Sequence, residues 1–371
     1  MNHSATSAGS RTRVLPVVQY VRGAAATLVV FSHCWEFAFR NPGDDELTNP
    51  LSFYGGLGVA VFFIISGFIM YYTCASNWEG SVRSARDFLS RRFHRIIPLY
   101  WVMTLATFAV IMAARSYGGD NGQHANVIGL PELGKSLLFI PYHFTGEKFR
   151  PVLGVGWTLD FEMFFYLIFA AGLLFRKQAG LAFIAAVILG TIAVGALVEI
   201  PFEPLEALAQ PIIFLFLFGI FLGWFQEKCS FRMSERSAVI ILAVIFLLTP
   251  ALYWLNIRTS QLNPDPALWA FAAAIVIPAI LSHSARADEE HGLARFGLQM
   301  GDASYLLYLA HPVIMMVIGP ISMRLHLPTQ GTGVIMFVSS IIGALIGHQI
   351  FEKRLLKWTA PIFRKRPKAH H

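Results

Sequence analysis

The chain has 371 residues, 55% of them hydrophobic and only 14% charged, with a mean hydropathy of +0.56. Soluble domains carry about 25% charged residues, so this composition excludes a soluble globular protein and indicates an integral membrane protein built of helices. The formal charge of +7 raises nucleic acid as a partner, and the placement of the charges along the chain argues against it.

The first sixteen residues are polar and basic. The apolar run after them is too long for a signal-peptide core and has no small-residue cleavage site, so no cleaved leader is expected. Ten runs are long enough to cross about 30 Å of hydrocarbon. They lie near 17–39, 55–74, 96–114, 157–175, 180–198, 207–225, 236–254, 266–282, 301–320 and 332–352. The expected fold is an all-α integral membrane protein of about ten transmembrane helices with no large soluble domain. Residues 1–16 form an N-terminal tail, 17–352 the transmembrane domain and 353–371 a basic C-terminal tail.

An even count puts both termini on one side, and the positive-inside rule makes that side the cytoplasm. Inside segments then hold 21 Lys and Arg and outside loops hold 7, with Arg22 within the first span. This loop-by-loop bias accounts for the basic balance without nucleic acid. Cys34, Cys74 and Cys229 have neither metal spacing nor a disulfide pattern. No metal site, phosphate-binding P-loop or GxSxG elbow is present, and no internal repeat marks a duplicated transporter.

The first span carries the leading signal. Arg22 and His33 are eleven residues apart. On a helix that is about 16 Å of rise and three turns plus roughly 20°, so both side chains share one face. Arg22 lies about 7 Å from the inner end of the span and His33 about 24 Å from it. Ionisable groups inside a span indicate function by default. A fixed cation and a proton-transfer group are here stacked at the reach of a long, phosphate-headed cofactor. Glu36 sits one turn above His33 and is a candidate to orient it. In the second span, Gly55, Gly56 and Gly58 with Ser66 and Gly67 allow close helix contact first and passage of a cofactor second.

The third span is entered through Arg91-Arg92-Phe-His-Arg95. Arg92 and Arg95 share the inner level with Arg22, and together the three could hold an anion. The loop from Arg115 to Gly156 is the longest and is a candidate lid or binding surface. The fourth span opens with Trp157-Thr-Leu-Asp-Phe-Glu162. Asp160 is interfacial, and Glu162 is placed at about the level of His33 as the favoured group to orient it. In the ninth span, Ser304-Tyr305-Leu-Leu-Tyr-Leu-Ala-His311-Pro312 puts His311 near mid-membrane, either packed on a carbonyl freed by Pro312 or lining a cavity with Tyr305.

These stretches, in this order, resemble the acyltransferase-3 family of membrane acyltransferases from Gln19 to about Pro312. Arg22-Gly-Ala-Ala-Ala with His33 resembles the family's first-helix signature, and Gly55-Gly-Leu-Gly-Val-Ala-Val-Phe-Phe-Ile-Ile-Ser-Gly-Phe its second-helix block. Arg92-Phe-His-Arg95 resembles its Arg-x-x-Arg element, and the segments ending at Glu162 and His311 its later blocks. Pro151 to Tyr166 resembles the succinoglycan-type exopolysaccharide O-acetyltransferases in particular, with Asp160 where Asn is more often expected.

The resemblance implies an O-acetyltransferase of the bacterial inner membrane that takes acetyl from cytoplasmic acetyl-CoA to a hydroxyl of a polysaccharide or lipid-linked oligosaccharide. His33 and Glu162 would be catalytic, and Arg22, Arg92 and Arg95 would bind the cofactor. His311, Tyr305, Glu36 and Ser66 would line the pocket. Membrane lipid and polysaccharide biosynthesis or export proteins would be its partners. The chain ends soon after the tenth span, so any second acyl-transfer step is expected to use another protein. The competing readings are a transporter or flippase of a lipid-linked sugar and a non-catalytic subunit of an export complex. Acetyl against succinyl or longer acyl groups, and direct transfer against a covalent relay, stay open at this point.

Overall fold

A computed structural model describes residues 16–39, 52–116, 128–144, 148–229, 265–281 and 292–363, with isolated positions between 233 and 244. The chain is a multi-pass bundle of α-helices. In order these are α1 (Pro16–Phe39), α2 (Ser52–Cys74), α3 (Val82–Ser116) and α4 (Leu130–Leu137), then α5 (Trp157–Gly172), α6 (Lys177–Leu197), α7 (Glu203–Leu208) and α8 (Phe214–Lys228). They are followed by α9 (Asp265–Leu281), α10 (Gly292–Arg324), α11 (Thr329–Gly347) and α12 (Lys353–Phe363). A two-residue antiparallel pairing of His143–Phe144 with Lys148–Phe149 precedes α5.

Seven helical segments among the described residues are long and apolar enough to span a membrane. Two further helices are α1, whose apolar run is broken by Gln19, Arg22 and His33, and the 17-residue α9. The expected span at 236–254 lies outside the described residues except for isolated positions.

Two helices are much longer than the apolar windows that revealed them. α3 begins at Val82 and continues for 35 residues, about 52 Å at 1.5 Å per residue. α10 runs for 33 residues from Gly292. An apolar window marks the thickness of the hydrocarbon and not the end of a helix. The charged first turns of α3 extend beyond it and pack on α12. The expected span at 207–225 also differs. Pro211 opens a short 3-10 turn ahead of α8, separating it from α7, because proline supplies no backbone donor.

Lipid chains are as apolar as leucine, so helices associate here through close packing at small residues. α1 packs along α2 and α10, and α2 packs along α8. A Cβ on Gly23 would lie 3.0 Å from the Gly301 nitrogen. A Cβ on Gly67 would collide with the Phe216 carbonyl oxygen, and one on Gly219 with that of Ile64. Both obstacles are backbone, which cannot rotate away. Gly67→Ala is therefore expected to separate α2 from α8 and to reduce folded, membrane-inserted protein severalfold, whereas Gly190→Ala, whose Cβ would meet nothing within 4 Å, should leave it unchanged. Fluorescence-detected size exclusion of the two variants checks the contrast.

Candidate functional site

Five helices surround one cavity with an empty volume of about 740 Å³. Its polar walls are Arg22 from α1, Ser66 from α2, Arg92 and Arg95 from α3, Glu162 and Tyr166 from α5, and Ser304, Tyr305 and Tyr308 from α10. On α2 the lining runs from Val59 to Met70, eleven residues or about 16 Å of helix. The cavity is therefore a long slot with the arginines towards one end and Thr158 and Tyr308 at the other.

Two of the three cations, Arg22 and Arg92, are aimed by their neighbours. Arg22 is only 9% exposed. It donates to Ser304 Oγ at 3.1 Å and to Gln19 Oε1 at 3.2 Å, and Gln19 in turn donates to Asp302 at 3.1 Å. Arg92 donates to Thr73 Oγ1 at 3.2 Å and lies over the Phe88 ring at 5.6 Å. Among the described residues no hydrogen bond or ion pair engages Arg95. Glu162 accepts from Ser66 at 3.1 Å and from the Tyr166 hydroxyl. Three guanidinium groups thus face one carboxylate. Charges removed from water need compensation, and the lining carries an excess of two positive charges over its one carboxylate.

His33 lies elsewhere. Its Nδ1 is 2.8 Å from His311 Nε2, and the two rings stack with centroids 5.1 Å apart. His311 is fully buried, with Nδ1 at 3.2 Å from the Leu307 carbonyl. A carbonyl only accepts, so His311 Nδ1 carries hydrogen and, in a neutral ring, Nε2 accepts. His33 Nδ1 then donates to it, and the lone pair of His33 resides on Nε2. This is the tautomer of a proton acceptor. The pair adjoins the deep end of the slot through Tyr308, whose ring is 6.1 Å from that of His311. Tyr308 is held by Thr158 at 2.9 Å and by the Val155 carbonyl at 3.0 Å.

The structure therefore brings Arg22, Arg92, Arg95, Glu162, Ser66 and Tyr305 together, and pairs His33 with His311. The level expected for Glu162 differs from the observed one. Glu162 bonds at the arginine end, and the group packed on His33 is His311. Glu36 accepts from Ser32 at 2.6 Å, one turn earlier on α1. Tyr305 donates to the Ile96 carbonyl at 2.9 Å. The spacing of Arg22 and His33 along α1 also overstates the axial gap between their functional groups. The Arg22 side chain climbs to Ser304, only seven residues, or about 10 Å, short of His311 along α10.

Ser304, Tyr166 and Gln19 carry no assignment from the sequence. A signal existed for two of them. Ser304 lies seven residues before His311 and Tyr166 four after Glu162, each on the same helical face as its partner.

Comparison with known proteins places the chain in a family. The family described as an acyltransferase domain, Acyl_transf_3, matches residues 16–349. The chain is 31% identical to the exopolysaccharide production protein ExoZ of Rhizobium meliloti (strain 1021) over 310 residues, 82% of this chain and 90% of that protein. It is 27% identical to nodulation protein 10 of Rhizobium leguminosarum bv. viciae over 319 residues, 78% of this chain and 80% of that one. No solved structure matches the chain at a significant level.

Proposed function

The chain belongs to the acyltransferase-3 family, and from that premise we propose that this membrane acyltransferase moves an acetyl group from acetyl-CoA to a hydroxyl of an exopolysaccharide or of its lipid-linked precursor. The observation that carries the donor assignment is the slot. It offers an excess of two positive charges at one end, about 16 Å of apolar and hydroxyl-lined length, and a histidine pair beyond the other end. A phosphate-headed thioester has that anatomy. Arg22, Arg92 and Arg95 bind the phosphates as planar, charge-assisted donors, with Glu162 and Tyr166 fixing the electrostatics beside them. The pantetheine arm follows α2 past Ser66 towards Tyr308.

His33 Nε2 takes the proton of the sugar hydroxyl as its oxygen attacks the thioester carbonyl. The new C–O bond forms, the C–S bond breaks with its electron pair on sulfur, and the proton passes from His33 to the departing CoA thiolate. His311 holds His33 in the reactive tautomer and shares the positive charge that develops on it. The acceptor class follows the name of ExoZ, an exopolysaccharide production protein. The charge bias of the loops supports cytoplasmic termini in the bacterial inner membrane, so the arginine end of the slot faces the cytoplasm and the sugar enters from the opposite side.

The test supplies radiolabelled acetyl-CoA to the cytoplasmic face of inverted membrane vesicles with a crude envelope extract as acceptor. Label entering lipid-linked or polymeric saccharide only when the protein is present is the expected result. No protein-dependent label, with insertion confirmed, overturns this reading in favour of a lipid-linked sugar transporter.

A further inference from the structure

A second cleft lies on the other side of α5. Its empty volume, open to the surroundings on one side, is about 1040 Å³. Its walls include Trp157, Asp160 and Phe161 of α5, Trp269 of α9, Gln210 ahead of α8, and Arg150. Positions 157, 160 and 161 have the spacing of one helical face. Thr158, Leu159 and Glu162, interleaved with them, face the arginine slot instead. One turn of α5 is thus the partition between two cavities. The second cleft gathers the starts of α5 and α9 and the approach to α8, the end of the bundle proposed above as external.

Two features of this cleft point to its ligand. The first is a pair of tryptophans facing one space. Trp157 is held edge-on to Phe161 at 5.9 Å and to Phe63 at 6.5 Å, so its indole has a fixed orientation. The second is Asp160. It is only 5% exposed, and its Oδ1 has no hydrogen-bond partner among the described residues. A buried carboxylate oxygen left without a donor costs stability, and no described residue supplies that donor. A pyranose supplies what both features lack. Its C–H face is apolar and packs on an indole, and its rim of hydroxyls donates to a carboxylate. An acyl chain would satisfy the tryptophans and leave Asp160 unpaired.

We propose that this cleft seats the acceptor saccharide, with Trp157 and Trp269 stacking on sugar rings and Asp160 accepting from a sugar hydroxyl. The inference rests on the acetyltransferase reading and assigns its acceptor site. Donor and acceptor then occupy opposite faces of α5, so the sugar seated in the cleft is a neighbour of the reacting one, and the saccharide continues past the external end of α5 to bring its reacting hydroxyl towards Tyr308 and the histidines.

The test uses the purified full chain in lipid nanodiscs with radiolabelled acetyl-CoA. The envelope saccharide extract is titrated as acceptor. Trp269→Ala and Asp160→Leu are each expected to raise the extract concentration for half-maximal transfer at least tenfold. The half-saturating acetyl-CoA concentration stays within twofold, and Trp269→Phe recovers most of the loss. Asp160→Leu, which replaces an unsatisfied carboxylate by an apolar group of similar volume, should melt at or above the wild-type temperature. That combination separates a ligand contact from a structural role. An unchanged acceptor requirement in both variants overturns the proposal. So does a Trp269→Ala variant that loses only co-purifying phospholipid, which would assign the cleft to lipid. Failure of the wild type to label any saccharide overturns the acetyltransferase reading itself, a result distinct from both.

Discussion

His33→Ala is expected to lower acyl transfer by about 10²–10⁴-fold, the usual contribution of a positioned acid–base group, while CoA binding stays at the wild-type level. The reason is the separation seen in the structure. His33 and His311 form their own pair at 2.8 Å, and neither lines the slot that holds the three arginines. Loss of the imidazole therefore removes proton transfer without touching the phosphate end. In kinetic terms kcat and kcat/KM for acetyl-CoA should fall together, the signature of an interaction made in the transition state.

His311→Gln should lose less, since His33 keeps its lone pair and only its orientation suffers. A steady-state assay in nanodiscs, alongside CoA binding and protein abundance for each variant, checks both. A stably inserted His33→Ala protein that still transfers acetyl at near the wild-type rate would sink the mechanism.

Arg22→Ala is expected to weaken CoA binding by roughly 10–100-fold, with a smaller change in turnover. A hydrogen bond to a charged group contributes about 1.5–3 kcal/mol, and each 1.4 kcal/mol is tenfold in affinity. Arg22 suits that role because it is buried and already aimed by Ser304 and Gln19, so little side-chain freedom is lost on binding. Arg22→Lys keeps the charge but not the two-pronged fork and should fall between the two. Arg92→Ala, whose guanidinium is braced by Thr73 and Phe88, should behave in the same way. Binding of labelled CoA to the purified variants gives the answer directly, and unchanged affinity in Arg22→Ala and Arg92→Ala together would remove the phosphate clamp.

Much of this organisation follows from the chain alone. A span is a local property, since some twenty apolar residues in a row have only one stable disposition in a bilayer. The register of Arg22 and His33 on one face, and of Arg92 and Arg95 on one end of α3, follows from the rise and twist of a single helix. The order of these motifs is enough to resemble the acyltransferase-3 family, to which the chain belongs.

The tertiary structure decided which faces meet. Counting inward from its helix end puts Glu162 at the level of His33, yet it bonds Ser66 and Tyr166 beside the arginines, and His311 takes the place next to His33. Counting residues fixes height within one helix. It does not fix the axial offset and rotation between two helices, which are set where backbones touch. Those contacts are Gly23 against Gly301 and Gly67 against the Phe216 carbonyl. A glycine shows in the sequence that something comes close, but not what. The division of α5 into two cavity faces, with Asp160 on one and Glu162 on the other, is likewise set by tertiary packing, here of α5 against α3 and α6.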